Sequence, residues 1–226
     1  VKRKKLLFVS TVALILPFVL TCSTGLTNTS TTQVKRPTAE KIAENQERIP
    51  VSIPKAEDAG LFLYNHPATK LDVVDFFAGI TGSERLALII IRNADKHDVP
   101  LSLAFALSWA ESEFNPMAVN RNPVSIDRGL FQLNDRSFPQ LTGDDWFDPD
   151  LNADLGLGYF KWCLKQGGNE IVAIAIYNAG KFRVERGGTP RSTLDHINRI
   201  LTFRDDIEER FHHYLATRPA VEIAMR

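Results

Sequence analysis

The chain has 226 residues, which at ~100 to 200 residues per domain accommodates one catalytic-sized domain with appendages and excludes two large ones. Its 27 Lys and Arg balance 27 Asp and Glu, so no basic surplus points to nucleic acid, and 44% hydrophobic residues exclude global disorder. Two cysteines, Cys22 and Cys163, cannot supply a disulfide framework, and the five histidines (His66, His97, His196, His212, His213) show no HExxH or Cys/His metal spacing.

In chain order, Lys2, Arg3, Lys4 and Lys5 precede an apolar stretch from Leu6 to Leu20, the form of an export signal. That stretch is shorter than the ~20 residues that span a bilayer, which favours a signal over a permanent anchor, the alternative being an uncleaved helix. Val19-Leu20-Thr21-Cys22 resembles a bacterial lipoprotein signal, in which the cysteine becomes the lipidated first residue of the mature protein. Removing residues 1–21 takes away four cations and no anions, leaving 23 basic and 27 acidic side chains, a net charge of −4 that does not seek anionic lipid. Membrane contact is therefore expected only through the N-terminal lipid or signal. Residues 22–60, rich in Ser and Thr and then in charges and prolines, read as a tether with little power to build a core. Cys163 sits in an apolar helical pattern and reads as a buried small hydrophobe, so no disulfide is expected.

Residues 61–218 are expected to form one mainly α domain with its core over 84–201, followed by a tail at 219–226. Thr81-x-x-Glu84 has capping-box spacing, and Leu86, Ile89, Ile90 and Ala94 then recur at helical intervals, predicting a helix over 82–97. Pro100 opens the next one. Leu101 to Ser112 is apolar nearly all round, the mark of a helix at the centre of a small domain. Further helices are predicted over 152–165, 169–178, 189–201 and 204–215, with 115–150 left as a long irregular region.

Glu111 stands in the last turn of the most apolar helix. Burial and the negative end of its own helix both favour the protonated form, which is what a general acid needs in order to protonate a leaving oxygen. The alternative is a helix-end Glu turned into water. Downstream, Glu111-Ser112-Glu113-Phe114-Asn115-Pro116-x-Ala118 is followed by Arg128-Gly129-Leu130-Phe131-Gln132, by Asp148-Pro149-x-x-Asn152-x-x-x-Gly156-x-x-Tyr159, and by Ala175-x-Tyr177-Asn178-Ala179-Gly180. This ordered series, over roughly residues 84–201 including Thr189-Pro190 and Thr193, resembles the catalytic domain of the soluble lytic transglycosylases, the lysozyme-like enzymes that cut bacterial peptidoglycan.

The resemblance implies a lysozyme-like helical domain with an irregular or small hairpin region after the catalytic helix, and a cofactor-free reaction on glycan strands by a monomer in the cell envelope. It places the single catalytic acid/base on Glu111 and substrate contacts on Ser112, Phe114, Asn120, Asp127, Gly129, Leu130, Gln132, Tyr177 and Asn178. Gln132 offers amide groups to sugar hydroxyls or an acetamido group, and Gly129 permits close backbone approach of the glycan. Tyr177 can reach Glu111 or the glycan, or be a core aromatic with a bonded hydroxyl. Asn178 can contact substrate or fix the loop before Gly180. Phe131 stands where many members carry Met, and Asn120 where many carry a glycan-contacting Ser.

The same stretch, with Asn120-Arg121-Asn122 and Ser125-Ile126-Asp127-Arg128-Gly129-x-x-Gln132-x-Asn134, is also similar to the animal-type lysozymes, whose second carboxylate matches Asp127. The alternatives are thus a transglycosylase, a hydrolytic lysozyme using Glu111 and Asp127, and a non-catalytic glycan-binding envelope lipoprotein. The absence of the lysozymes' many cysteines and the presence of Tyr177-Asn178-Ala179-Gly180 favour the first. Gly156-x-Gly158 reads as helix packing, the acidic residues Asp144, Asp145, Asp148, Asp150 and Asp154 as a loop and helix start, and His212-His213 as a solvated face; no metal is expected.

Overall fold

The computed structural model of the protein describes residues 49–53, 58–218 and 221–225. The expected signal, Cys22 and most of the expected tether lie outside them. The elements in order are β1 (Ile49–Ile53), α1 (Ala59–Asn65), α2 (Lys70–Thr81), α3 (Glu84–His97), α4 (Leu101–Ser112), β2 (Val119–Arg121), β3 (Ile126–Arg128) and β4 (Leu133–Asn134). A 3-10 turn (Gly143–Phe147) leads to α5 (Pro149–Gly167), α6 (Glu170–Ala179), α7 (Lys181–Glu185), α8 (Arg191–Ala216) and β5 (Val221–Met225).

The architecture is mainly α with a small sheet after α4. Helix α4 is central because its sequence leaves it no polar face: from Leu101 through Ser108 every residue is buried. Around it α2, α3 and α8 supply apolar stripes. Phe77 packs on Phe105 at 4.2 Å between ring centroids, and Phe211 on Phe76 at 4.9 Å. Trp109 stacks on Phe203 at 4.1 Å, with the Arg199 guanidinium 4.5 Å from its ring centroid.

Two local expectations change, and the small hairpin region expected after the catalytic helix is present. Helix α3 is capped by Ser83, whose hydroxyl accepts from Leu86 N at 3.3 Å; Thr81 belongs to the end of α2 and accepts from Ser83 N at 3.1 Å. The two helices predicted over 189–201 and 204–215 are one, because Thr202 and Phe203 contain no breaker and Phe203 is needed against Trp109. The irregular 115–150 stretch contains an antiparallel sheet in the order β2-β3-β4, which registers Asn120 opposite Asp127 and Asp127 opposite Asn134.

Asp148 caps α5 by accepting from Asp150 N and Leu151 N, with Pro149 in the first turn. Gly156 lies against Phe131, where an added Cβ would stand 2.5 Å from the Phe131 Cβ, so this glycine serves helix packing. Strands β1 and β5, from the segments assigned above to tether and tail, pair in parallel with Ile49 opposite Val221. Among the described residues no helix is long and apolar enough to cross a membrane.

Candidate active site

Helix α4 ends at the floor of a cavity of about 660 Å³ whose far wall is the β2-β3-β4 sheet. Glu111 projects there with its side chain 13% exposed, backed by the fully buried Leu107 and by Ala110. The helix is stopped by two consecutive residues with left-handed backbone, Glu113 at φ 54° and Phe114 at φ 63°. Neither is glycine, so the turn stores strain beside the carboxylate, held by Glu113 N donating to Trp109 O at 2.8 Å and by Phe114 packing into the core.

The Glu111 Oε1 atom lies 3.1 Å from His196 Nε2, the imidazole being 15% exposed. Helix α8 brings the histidine there. Its Thr193 hydroxyl donates to Asn178 Oδ1 at 2.7 Å, fixing α8 to the end of α6 one turn before His196.

The sheet wall is built from amides. Asp127 accepts from Asn134 Nδ2 at 2.6 Å on one oxygen and from Asn122 Nδ2 at 2.7 Å on the other. Both oxygens are thereby engaged, which fixes the orientation of the carboxyl group. Asn120, its cross-strand neighbour, also lines the cavity. Gln132, at φ 48°, donates through Nε2 to Gly129 O at 2.9 Å and Ala118 O at 3.2 Å. Gln132 itself lines the cavity. Among the described residues lining the cavity there is no Lys or Arg, a composition suited to an uncharged, hydroxyl-rich ligand.

Asn152 organises the loop between these walls. Fully buried, it accepts from Phe131 N at 2.7 Å and donates to Arg128 O at 3.1 Å and Trp146 O at 3.0 Å. Gly129 is required by this clamp: its φ is 82°, and an added Cβ would stand 2.2 Å from Asn152 Nδ2. The close approach expected of a glycan at Gly129 is therefore made by Asn152.

The structure brings Glu111, Asn120, Asp127, Gln132, Tyr177 and Asn178 to one cavity. It turns Ser112, Phe114 and Leu130 inward. The Ser112 hydroxyl donates to Leu130 O at 2.8 Å, and Phe114 and Leu130 are buried. Tyr177 spends its hydroxyl on Phe131 O at 2.8 Å, and burial, followed by the nearby Glu111 carboxylate, pushes its pKa well above the usual phenol value. The Tyr177 hydroxyl is thus bonded within the protein, while the residue still lines the cavity. Cys163 is buried, which pushes its thiol up to about 12.

Sequence reasoning gave no role to His196, Asn152, Asn122 or Asn134. Three of these stand inside the quoted motifs, but their partners follow only from the tertiary fold. The signal for His196 was its place three residues after Thr193 and one before Ile197, on the face that α8 buries.

A mainly helical domain whose buried central helix delivers a carboxylate into an open polar cleft, facing a small antiparallel sheet, is a lysozyme-like fold. Residues 89–200 match the family model of the transglycosylase SLT domain, and this segment belongs to that family. An X polypeptide of Escherichia coli is 30% identical over 106 residues, covering 43% of this chain and 63% of the relative. Another X polypeptide, from Escherichia coli strain K12, is 32% identical over 88 residues, covering 36% of this chain and 52% of the relative. The chain thus spans between about half and two thirds of the curated relatives it matches. Among solved structures, an inactive mutant of the lytic transglycosylase Slt from Pseudomonas aeruginosa is similar at 24% identity and a TM-score of 0.47, over 60% of this chain and 25% of that one.

Proposed function

We propose that the protein is an exported peptidoglycan lytic transglycosylase that cleaves the β-1,4 bond from N-acetylmuramic acid to N-acetylglucosamine and forms a 1,6-anhydro-muramoyl end. The observation that carries this reading is Glu111, a carboxyl shielded by α4 and opening into a polar cleft within the SLT segment that has no Lys or Arg among its described lining residues. Glu111 protonates the glycosidic oxygen as its bond to the muramoyl C1 breaks, and the substrate's 2-acetamido group supports the oxocarbenium-like centre. The Glu111 carboxylate then removes the proton from the muramoyl 6-hydroxyl as its oxygen bonds to C1. Protons balance without a water or a cofactor.

Asp127 favours a second reading. It lines the same cavity, so a hydrolytic lysozyme using both carboxyls is the rival. Against a nucleophilic role stands the engagement of both its oxygens by Asn122 and Asn134. Mass spectrometry of digested sacculi decides: anhydro ends support the transglycosylase, and reducing muramoyl ends mean a hydrolase.

The location proposed is the periplasmic face of the envelope, with a monomer tethered through lipid on Cys22. Cys22→Ala is expected to release the protein from membranes or to block its processing. Unchanged retention at unchanged mass would indicate an uncleaved N-terminal helix instead.

A further inference from the structure

The carboxyl that carries the proposed reaction is not alone. His196 is shielded from solvent almost as well as Glu111, and its Nε2 is within hydrogen-bond distance of Oε1. The neighbouring inward positions of α8 are Thr193, Ile197 and Ile200, none of them ionisable. The charges around the pair are accounted for. From α6, Tyr177 is committed to Phe131 O; from β3, Asp127 is committed to two asparagines; on α8, Arg199 lies over Trp109 and 3.5 Å from Glu113, while Asp195 is exposed. The imidazole is therefore the group positioned to answer the Glu111 carboxyl directly.

We propose that His196 is the positioning residue of Glu111, holding its carboxyl in one orientation through Oε1. This rests on the reaction proposed above. In the Nε2–H tautomer, the ring donates to Oε1 whether Glu111 is an acid or a carboxylate. Oε2 is thereby left to carry the proton toward the glycosidic oxygen and later to receive the one from the 6-hydroxyl. The hydrogen bond persists through the cycle, and the pair holds the same number of protons at its end as at its start.

The test compares His196→Ala with His196→Gln, whose amide N–H can reach Oε1 but does not titrate. His196→Ala is expected to lower kcat on sacculi by at least ~10-fold with KM changed less than about twofold, the signature of a misdirected reacting group. His196→Gln is expected to restore most of that rate while its alkaline limb moves to lower pH, because the pair loses one of the two groups that hold its last proton. A purely structural histidine would not move the limb. His196→Ala within twofold of the wild type, or His196→Gln with a pH profile superimposed on the wild type's, would overturn the proposal. A readout that needs no substrate separates this from failure of the proposed reaction. The His196 ring titration followed by NMR should differ between the wild type and Glu111→Gln, and coincident curves sink the coupling whether or not the wild type cuts sacculi.

Discussion

Glu111 and Asp127 line one cleft, yet the helical wall holds the first by packing and the sheet wall holds the second by hydrogen bonds. Behind Glu111 stand Phe105 and Leu107, fully buried, and Trp109 stacked on Phe203. Around Asp127 the strands are short and half-buried or exposed, and orientation comes from Asn122 and Asn134. The first arrangement shields a carboxyl from water, and the second fixes a carboxyl's orientation through one amide donor on each oxygen. Under the proposed function, the contrast assigns proton transfer to the helical wall and orientation to the sheet wall.

That assignment can be broken most sharply at Glu111. Glu111→Gln is expected to fold normally and to lose ~10²- to 10⁴-fold in release of soluble muropeptides, the range supplied by a general acid/base. Near-normal release would remove Glu111 from its role. Next in size is the clamp between the walls: Asn152→Ala strands the Phe131 N–H and two carbonyls, and a loss of about 3 kcal/mol is expected in urea unfolding. A loss below about 1 kcal/mol would mean that water or a rearranged loop replaces the asparagine.

Tyr177→Phe removes one buried hydrogen bond, so about 1 kcal/mol of stability should go while turnover stays within several-fold. A hundredfold drop in turnover at unchanged Tm would instead bring the phenol into the chemistry. The smallest effect is expected at Asp127→Asn, with anhydro products retained and a rate loss below ~5-fold, less than 1 kcal/mol of barrier. Abolished turnover in that variant, together with reducing ends from the wild type, would turn the sheet wall into the seat of a nucleophile or base.

How much could be read beforehand follows the same division. Helix α4 was legible to its boundaries, since Pro100 opens it and the apolar run leaves no other solution, and Glu111 followed as its polar end. The sheet was not legible in detail. Asp127, Asn120 and Asn134 share a face only because β3 pairs in the observed register, and a one-residue slip would turn Asp127 away from the cleft. Gly129 was found for a sound reason, but the group that crowds it is Asn152, more than twenty residues away in sequence. His196 was passed over because a lone histidine on a helix has no local pattern. Its role arises when Thr193 and Phe203 fix α8 against two other helices.

Helix α8 runs for 26 residues, roughly 39 Å at the α-helical rise, and the family match stops at residue 200, well before its end. Beyond that point Ile207, Phe211 and Leu215 are buried, Glu208 accepts from the Ser102 hydroxyl at 2.7 Å, and Arg218 reaches Asp72 and Asp75 on α2. The recognisable module and the folding module therefore differ in extent. A gene fragment ending at the shorter boundary would keep every residue of the cleft, His196 included, yet bare the aromatic cluster of Phe76, Phe77 and Phe105 to water and invite aggregation. Any recombination that inherits this domain intact must carry the whole of that last helix with it.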